Sequence, residues 1–125
     1  MEDNKKIFKV VVAGGRDFTN YNLLKEKVDN ILSQKKLTHK ILILSGKSIG
    51  ADSLGEIYAL ENNLEILSYP ADWDKFGKKA GVKRNAEMIN DADALIAFWN
   101  GNSQGTKYMI DIATKKGKMI RVINY

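Results

Sequence analysis

The sequence predicts an α/β domain: a doubly wound parallel sheet of five strands in the order 3-2-1-4-5, with helices on both faces. Three observations carry this. Five short aliphatic runs alternate with helix-length amphipathic stretches, and such alternation means parallel pairing through crossover helices. The runs at 10–13 and 41–44 are unbroken apolar, as expected of strands covered on both faces. Three glycine-bearing loops each join a strand to the next helix: Gly14-Gly15-Arg16, Gly46-Lys47-Ser48-Ile49-Gly50-Ala51-Asp52 and Gly101-Asn102-Ser103-Gln104-Gly105-Thr106. In this strand order the connections of strands one and four leave in opposite directions, and ligands sit in the crevice at the carboxyl ends there. The three loops would converge on that edge.

The elements follow in order. Residues 7–13 make the first strand, rich in valine after Lys9. The first helix covers about 21–35, with Tyr21, Leu24, Val28, Ile31 and Leu32 at helical spacing. Strand two is the Ile/Leu run 41–44, and the second helix, 51–62, turns Ala51, Leu54, Ile57 and Tyr58 inward. Strand three, 64–68, leads into a long polar-aromatic connection, 69–81. On the third helix, 82–90, Val82, Ala86 and Ile89 share a face suited to the sheet. Gly81, Arg84, Asn85 and Met88 share the neighbouring face. Strand four is 94–98, the fourth helix 106–116 and strand five 119–123. No repeat, low-complexity tract or linker interrupts the pattern, so 1–125 reads as a single domain.

Composition narrows the chemistry. With 44% hydrophobic and 28% charged residues the chain is ordinary for a globular domain, and 125 residues bury a core without staples. The absence of cysteine removes disulfides, thiolate chemistry and cysteine–zinc sites, and a single histidine, His39, removes a multi-histidine metal site. No dedicated carboxylate cluster suggests a metal. The first residues lack a signal-peptide pattern, and no apolar run approaches the ~20 residues of a membrane span. The expectation is a cytoplasmic protein with no membrane partner. Net charge is +5, and the densest basic group is Lys75, Lys78, Lys79, Lys83 and Arg84. It either meets phosphates or forms a solvated helix entrance.

Each loop has a functional and a structural reading. Gly14-Gly15 lets backbone approach a ligand, with Arg16 as a phosphate or carboxylate partner, or else is an ordinary turn. Gly46-Lys47-Ser48 imitates the end of a P-loop, but the glycine that motif requires five residues earlier is Ile41, inside a strand. What survives is Gly50-Ala51-Asp52, where Asp52 caps the helix or accepts from a ribose hydroxyl. In the third loop, the amides with Ser103, Gly105 and Thr106 suit a phosphate cradle, part of which a simple N-cap would explain. Arg84 and Asn85 grip a ligand or pair with solvent-side carboxylates. Trp73, in the long connection, stacks on a base or anchors the loop; anchoring is the expectation.

Together, Gly14-Gly15-Arg16-Asp17-Phe18, Gly50-Ala51-Asp52, Pro70-Ala71-Asp72-Trp73, Gly81 through Arg84-Asn85 to Met88, and Gly105-Thr106 resemble a known group. The chain is similar to the YspA-type, YpsA-related branch of the SLOG superfamily, named for the Smf/DprA and Lonely Guy proteins. The resemblance implies a Rossmann-like fold that binds nucleotides or their derivatives at the glycine loops. Lonely Guy enzymes cleave the N-glycosidic bond of nucleoside monophosphates. They use an arginine in a helix like Lys83-Arg84-Asn85-Ala86-Glu87-Met88 and a glutamate two or three positions after the Gly-Thr pair. Here those positions are Tyr108 and Met109, neither of which replaces a carboxylate, and the nearest acid is Asp111. Lys47-Ser48 also stands where relatives tend to have glycine and alanine; Lys47 adds a charge for phosphate or narrows the pocket.

The sequence thus points to a binding module for a nucleotide or nucleotide-derived phosphorylated ligand. The expected contacts are Gly14, Gly15, Arg16, Gly46, Lys47, Gly50, Asp52, Arg84, Asn85, Ser103, Gly105 and Thr106. No separate cofactor and no metal are expected, and Arg84 would be catalytic only in an enzyme. The alternatives are a Lonely Guy-like phosphoribohydrolase and a DprA-like nucleic-acid binder. Superfamily analogy also admits a homodimer.

Overall fold

The computed structural model describes residues 6–125. One parallel sheet runs β3-β2-β1-β4-β5, formed by β1 (Lys6–Gly14), β2 (His39–Ser45), β3 (Glu65–Ser68), β4 (Ala94–Trp99) and β5 (Met119–Asn124). Between the strands lie α1 (Tyr21–Leu32), α2 (Lys35–Thr38), α3 (Ala51–Glu61), α4 (Trp73–Phe76), α5 (Ala80–Asp91) and α6 (Gln104–Lys115). The fold class and strand order are those the alternation predicts. β1 is central: Val10 pairs with Ile43 of β2 on one side and Ala94 of β4 on the other.

Period-two alternation along β1 sorts the core into two layers. Phe8, Val10 and Val12 face Leu24, Val28 and Leu32 of α1 and Tyr58 and Ala59 of α3. Val11 and Ala13 face Met88 and Ile89 of α5 and Met109 and Ala113 of α6. Helices therefore cover both sides of β1, which explains the unbroken valine run. No helix among the described residues is long and apolar enough to cross a membrane.

Three local expectations change. The first helix ends at Leu32, and after the short α2 the chain enters β2 at His39, whose ring meets Phe8 edge-on at 5.8 Å. On α3, Ile57 is exposed, and the inward face is Ala51, Asp52, Gly55, Tyr58 and Ala59. The helix lies too close to the sheet for a large side chain there: a Cβ on Gly55 would stand 2.9 Å from Val12. In the connection 69–81, α4 and a short 3-10 turn, Gly77–Lys79, replace a continuous loop, and α5 begins at Ala80. Its inward stripe is Ala80, Arg84, Met88 and Ile89 rather than Val82, Ala86 and Ile89, and Val82 is 51% exposed. Ala80 and Met88 stand two turns apart on that stripe, so Arg84 between them is carried to the sheet's carboxyl edge.

Candidate functional site

The first loop is pinned on two sides. The Gly15 amide donates to the Phe98 carbonyl at 3.1 Å, and the Gly15 carbonyl accepts from Ala51 at the start of α3 at 3.2 Å. Phe18 stacks on Phe98 with ring centroids 4.8 Å apart, and the Tyr125 hydroxyl donates to Asp17 at 2.6 Å. Arg16, on the turn these contacts fix, is exposed and makes no hydrogen bond or ion pair with the described residues.

The second loop is closed against the first. Gly50 precedes α3 at φ +83°, and a Cβ there would lie 2.7 Å from the Arg16 Cα, so backbone angle and close approach both require glycine. Lys47 also has positive φ, 64°. It is held by its amide donating to Ser45 Oγ at 3.1 Å, while Ser45 Oγ donates to Glu56 at 2.5 Å. The Lys47 ammonium reaches the other Glu56 oxygen at 2.9 Å, which commits its charge within the protein.

Asp52 lies in the first turn of α3; Gly50 holds the cap position. The Asp52 side chain turns back toward Gly46 and is only 6% exposed. Burial pushes its carboxyl up to about 6, against the opposing pull of the Ser48 amide and Arg84. Arg84 donates through Nη1 to the carbonyls of Gly46 and Tyr69 and through Nε to Asn85 Oδ1 at 2.8 Å. A Cβ on Gly46 would stand 2.8 Å from Asp52 Oδ2 and 2.9 Å from Arg84 Nη1. Carboxylate and guanidinium thus close over a bare Cα. Burial lowers the Arg84 pKa and the neighbouring Arg16 charge adds to this, while Asp52 opposes both.

The third loop is shaped internally and open outward. Asn100 Oδ1 accepts the amides of Asn102 at 2.8 Å and Ser103 at 3.0 Å. Ser103 caps α6, its Oγ accepting from the Thr106 amide at 3.3 Å and sharing a hydrogen bond with Thr106 Oγ1 at 3.0 Å. The N-cap therefore accounts for both hydroxyls. It leaves the first-turn amides of Gln104 and Gly105 at the positive end of the helix dipole. A Cβ on Gly105 would meet nothing within 4 Å.

The loops after β1, β2 and β4 line one cleft of about 540 Å³. Of the predicted contacts, Gly14, Gly15, Arg16, Asp52, Arg84, Asn85, Ser103, Gly105 and Thr106 border it, together with Asp17, Ser48, Trp73, Lys78, Asn100 and Met109. Gly46 and Lys47 border an adjoining cleft of about 350 Å³ instead. Gly50 borders neither, because it is sealed against the first loop. Trp73 is 54% exposed, so it walls the cleft mouth instead of anchoring the connection in the core. The basic group divides: Lys78 reaches the cleft, Lys75 and Lys83 lie over the Phe76 ring, and Arg84 turns inward.

The Ser45–Glu56–Lys47 brace escaped sequence reasoning. Its only trace was a second acid one helical turn after Asp52. Met109, one of the two positions after Gly105-Thr106 at which the sequence lacks an acid, is buried at the cleft wall. Asp111 pairs with Lys107 at 2.9 Å on the exposed face of α6. No group of three or more possible metal ligands occurs among the described residues.

Fold and cleft define a doubly wound α/β domain with a ligand-sized crevice where its strand order reverses. The chain belongs to the YspA, cpYpsA-related SLOG family, whose model matches residues 8–76. It is 31% identical over 123 residues to the Gene 61 protein of Mycobacterium phage D29, covering 94% of this chain and 95% of that one. Among solved structures, DNA processing protein A (DprA) from Streptococcus pneumoniae superposes with a TM-score of 0.73 at 16% identity over 96% of this chain. The chain spans about half of that protein, 51%. DprA from Helicobacter pylori, described for its single-stranded DNA binding mode, gives 0.66 at 22% identity over 92% of this chain and 64% of its own. At these identities the structural likeness establishes the fold.

Proposed function

We propose that the cleft binds a phosphorylated nucleoside or a nucleotide-derived ligand, and that the domain acts as a sensor, carrier or sequestering module. One observation carries this reading: the uncommitted guanidinium of Arg16 and the open N-terminus of α6 at Gly105 border the same cleft. Phosphate lies between them, beside the Gly14-Gly15 turn, whose Gly15 amide and carbonyl are already bonded to Phe98 and Ala51. Arg84 is held by Gly46, Tyr69 and Asn85, neither Tyr108 nor Met109 is an acid and Asp111 faces out, all of which favour binding over turnover.

Thermal unfolding against a panel of mono-, di- and cyclic nucleotides tests the reading. Ligand at a hundredfold over Kd adds about 2.7 kcal/mol, a rise of roughly 3–6 °C per kcal/mol for a chain of this size. A panel in which no nucleotide raises Tm overturns it.

The half-exposed Trp73 ring beside Lys78 favours a second reading, single-stranded nucleic acid tracking across the cleft mouth. The DNA binding described for the H. pylori relative supports the same idea. It predicts steeply salt-dependent retention of an oligonucleotide, weakened by replacing Lys78 and Lys79 together with alanine. No retention at low salt removes it.

A further inference from the structure

Another recess lies beside the cleft and differs from it in chemistry. It is a trough of about 610 Å³ between the start of α5 and the facing side of α6. Its floor is apolar, made by Phe76, Val82, Ala86 and the Tyr108 ring. The Tyr108 hydroxyl makes no hydrogen bond with the described residues, which leaves it free to donate.

The rim is cationic. Lys78 and Lys79, on the 3-10 turn, and Lys83, on α5, border the trough. The Lys78 and Lys79 side chains make no hydrogen bond or ion pair with the described residues, and α5 has no acid in its first turn to offset them. Lys83 stands over the Phe76 ring at 4.9 Å, a contact that leaves its charge in place. Lysines at a helix start oppose its dipole, so their charge costs the fold rather than supporting it.

An apolar floor under a cationic rim fits a partner with the inverse pattern. Nucleic acid would meet the lysines but not the floor. Val82 and Ala86 give a base neither a stacking surface nor hydrogen bonds, and Phe76 already carries the ammonium groups of Lys75 at 5.1 Å and Lys83 at 4.9 Å. A second copy docked about a two-fold axis would set the same lysines against one another. A lipid surface is flat, whereas a concave trough takes an inserted side chain.

We propose that the trough docks an acidic amphipathic helix of another protein, with its apolar side chains on Val82 and Ala86 and its carboxylates at Lys79 and Lys83. Lys78 and Val82 border the nucleotide cleft as well, so the docked helix lies at the cleft mouth. The inference does not depend on what the cleft binds.

The full chain is used to select from a phage-displayed library of random peptides about four helical turns long, and the enriched peptides are measured by fluorescence anisotropy. They are expected to carry several Asp or Glu, with apolar residues at helical spacing. Their affinity falls about tenfold or more in Val82→Glu, which spoils the floor, and in Lys79→Glu combined with Lys83→Glu, which inverts the rim. It also falls as salt rises. All three positions are exposed, so these variants keep the wild-type melting curve; Val82→Ser is a milder check that adds no charge. The proposal is overturned if no peptide is enriched, if the enriched peptides are neutral or basic, or if both variants bind them within about twofold of wild type. An oligodeoxythymidylate or a phosphatidylserine vesicle that binds in place of any peptide, and is lost in both variants, gives the trough to nucleic acid or lipid and overturns it too. So does a homodimer of the wild type that Val82→Glu dissociates.

Discussion

The N-termini of α3 and α6 look alike in sequence and differ in the fold. Each follows a strand through a glycine-bearing loop, and each would expose amides to a ligand. At α3 the space is filled: Gly15 supplies a carbonyl to Ala51, Gly50 packs on Arg16, and the Asp52 carboxylate turns back over Gly46. At α6 the capping side chain is local, and Gly105 faces open space. A glycine at a helix start therefore has two meanings, close approach of backbone or room for a ligand. Only the neighbouring segment tells them apart.

The contrast breaks first at the glycines. Gly50→Ala puts a Cβ into the first loop at a positive φ, and a loss on the order of 4 kcal/mol is expected in urea unfolding. Gly105→Ala leaves stability unchanged or raises it by up to about 1 kcal/mol through helix propensity, yet weakens nucleotide binding. Equal losses from the two variants would erase the distinction.

The two arginines sharpen it next. Arg84→Met strands the Gly46 and Tyr69 carbonyls and leaves Asp52 without its cation, costing about 3 kcal/mol. Arg16→Met stays within about 0.5 kcal/mol of wild type in unfolding but loses about tenfold or more in affinity for the proposed nucleotide ligand, as expected for a charge-assisted hydrogen bond. If Arg16→Met binds like wild type, Arg16 is a solvated turn residue.

The Asp52 plug has a pH signature. Its carboxyl titrates higher in the folded state than in the unfolded chain, near 6 against 3.8, so the folded form holds its proton more tightly. Stability from this group is fully present below about pH 4 and is lost as pH rises through about 6, by about 3 kcal/mol. Asp52→Asn flattens that part of the pH profile; a profile unchanged by the substitution would show the carboxyl to be solvated. The smallest effect belongs to the exposed face of α6. Asp111→Ala breaks one i,i+4 pair with Lys107, costs about 0.3–0.5 kcal/mol and leaves nucleotide affinity unchanged.

Much of the frame was legible because it depends on local pattern. The valine run of β1 and the Ile/Leu run of β2 read directly as strands buried on two faces, and helix spacing placed Leu24, Val28 and Leu32 inward. Helix faces were less legible where small residues line them. Gly55 brings α3 against Val12 and rotates Ile57 outward, and the early start of α5 at Ala80 exposes Val82 while turning Arg84 in. Of the cleft, the first and third loops were legible, and Trp73 and the Glu56 brace were not. Trp73 reads as an anchor of the connection until α4 is placed and sets it at the cleft mouth. Glu56 works through a hydrogen bond to Ser45, eleven residues away, that no spacing rule marks.

By itself the sequence determined the alternating elements, the strand order and the edge of the sheet where three loops gather, since periodicity and short-range backbone preference suffice for those. The tertiary structure alone decided which glycine was sealed and which was open, which arginine was committed, and that lysines rim an apolar trough between α5 and α6. These depend on how near separate segments come to one another. A difference of an ångström or two in that approach turns a binding position into a packed one.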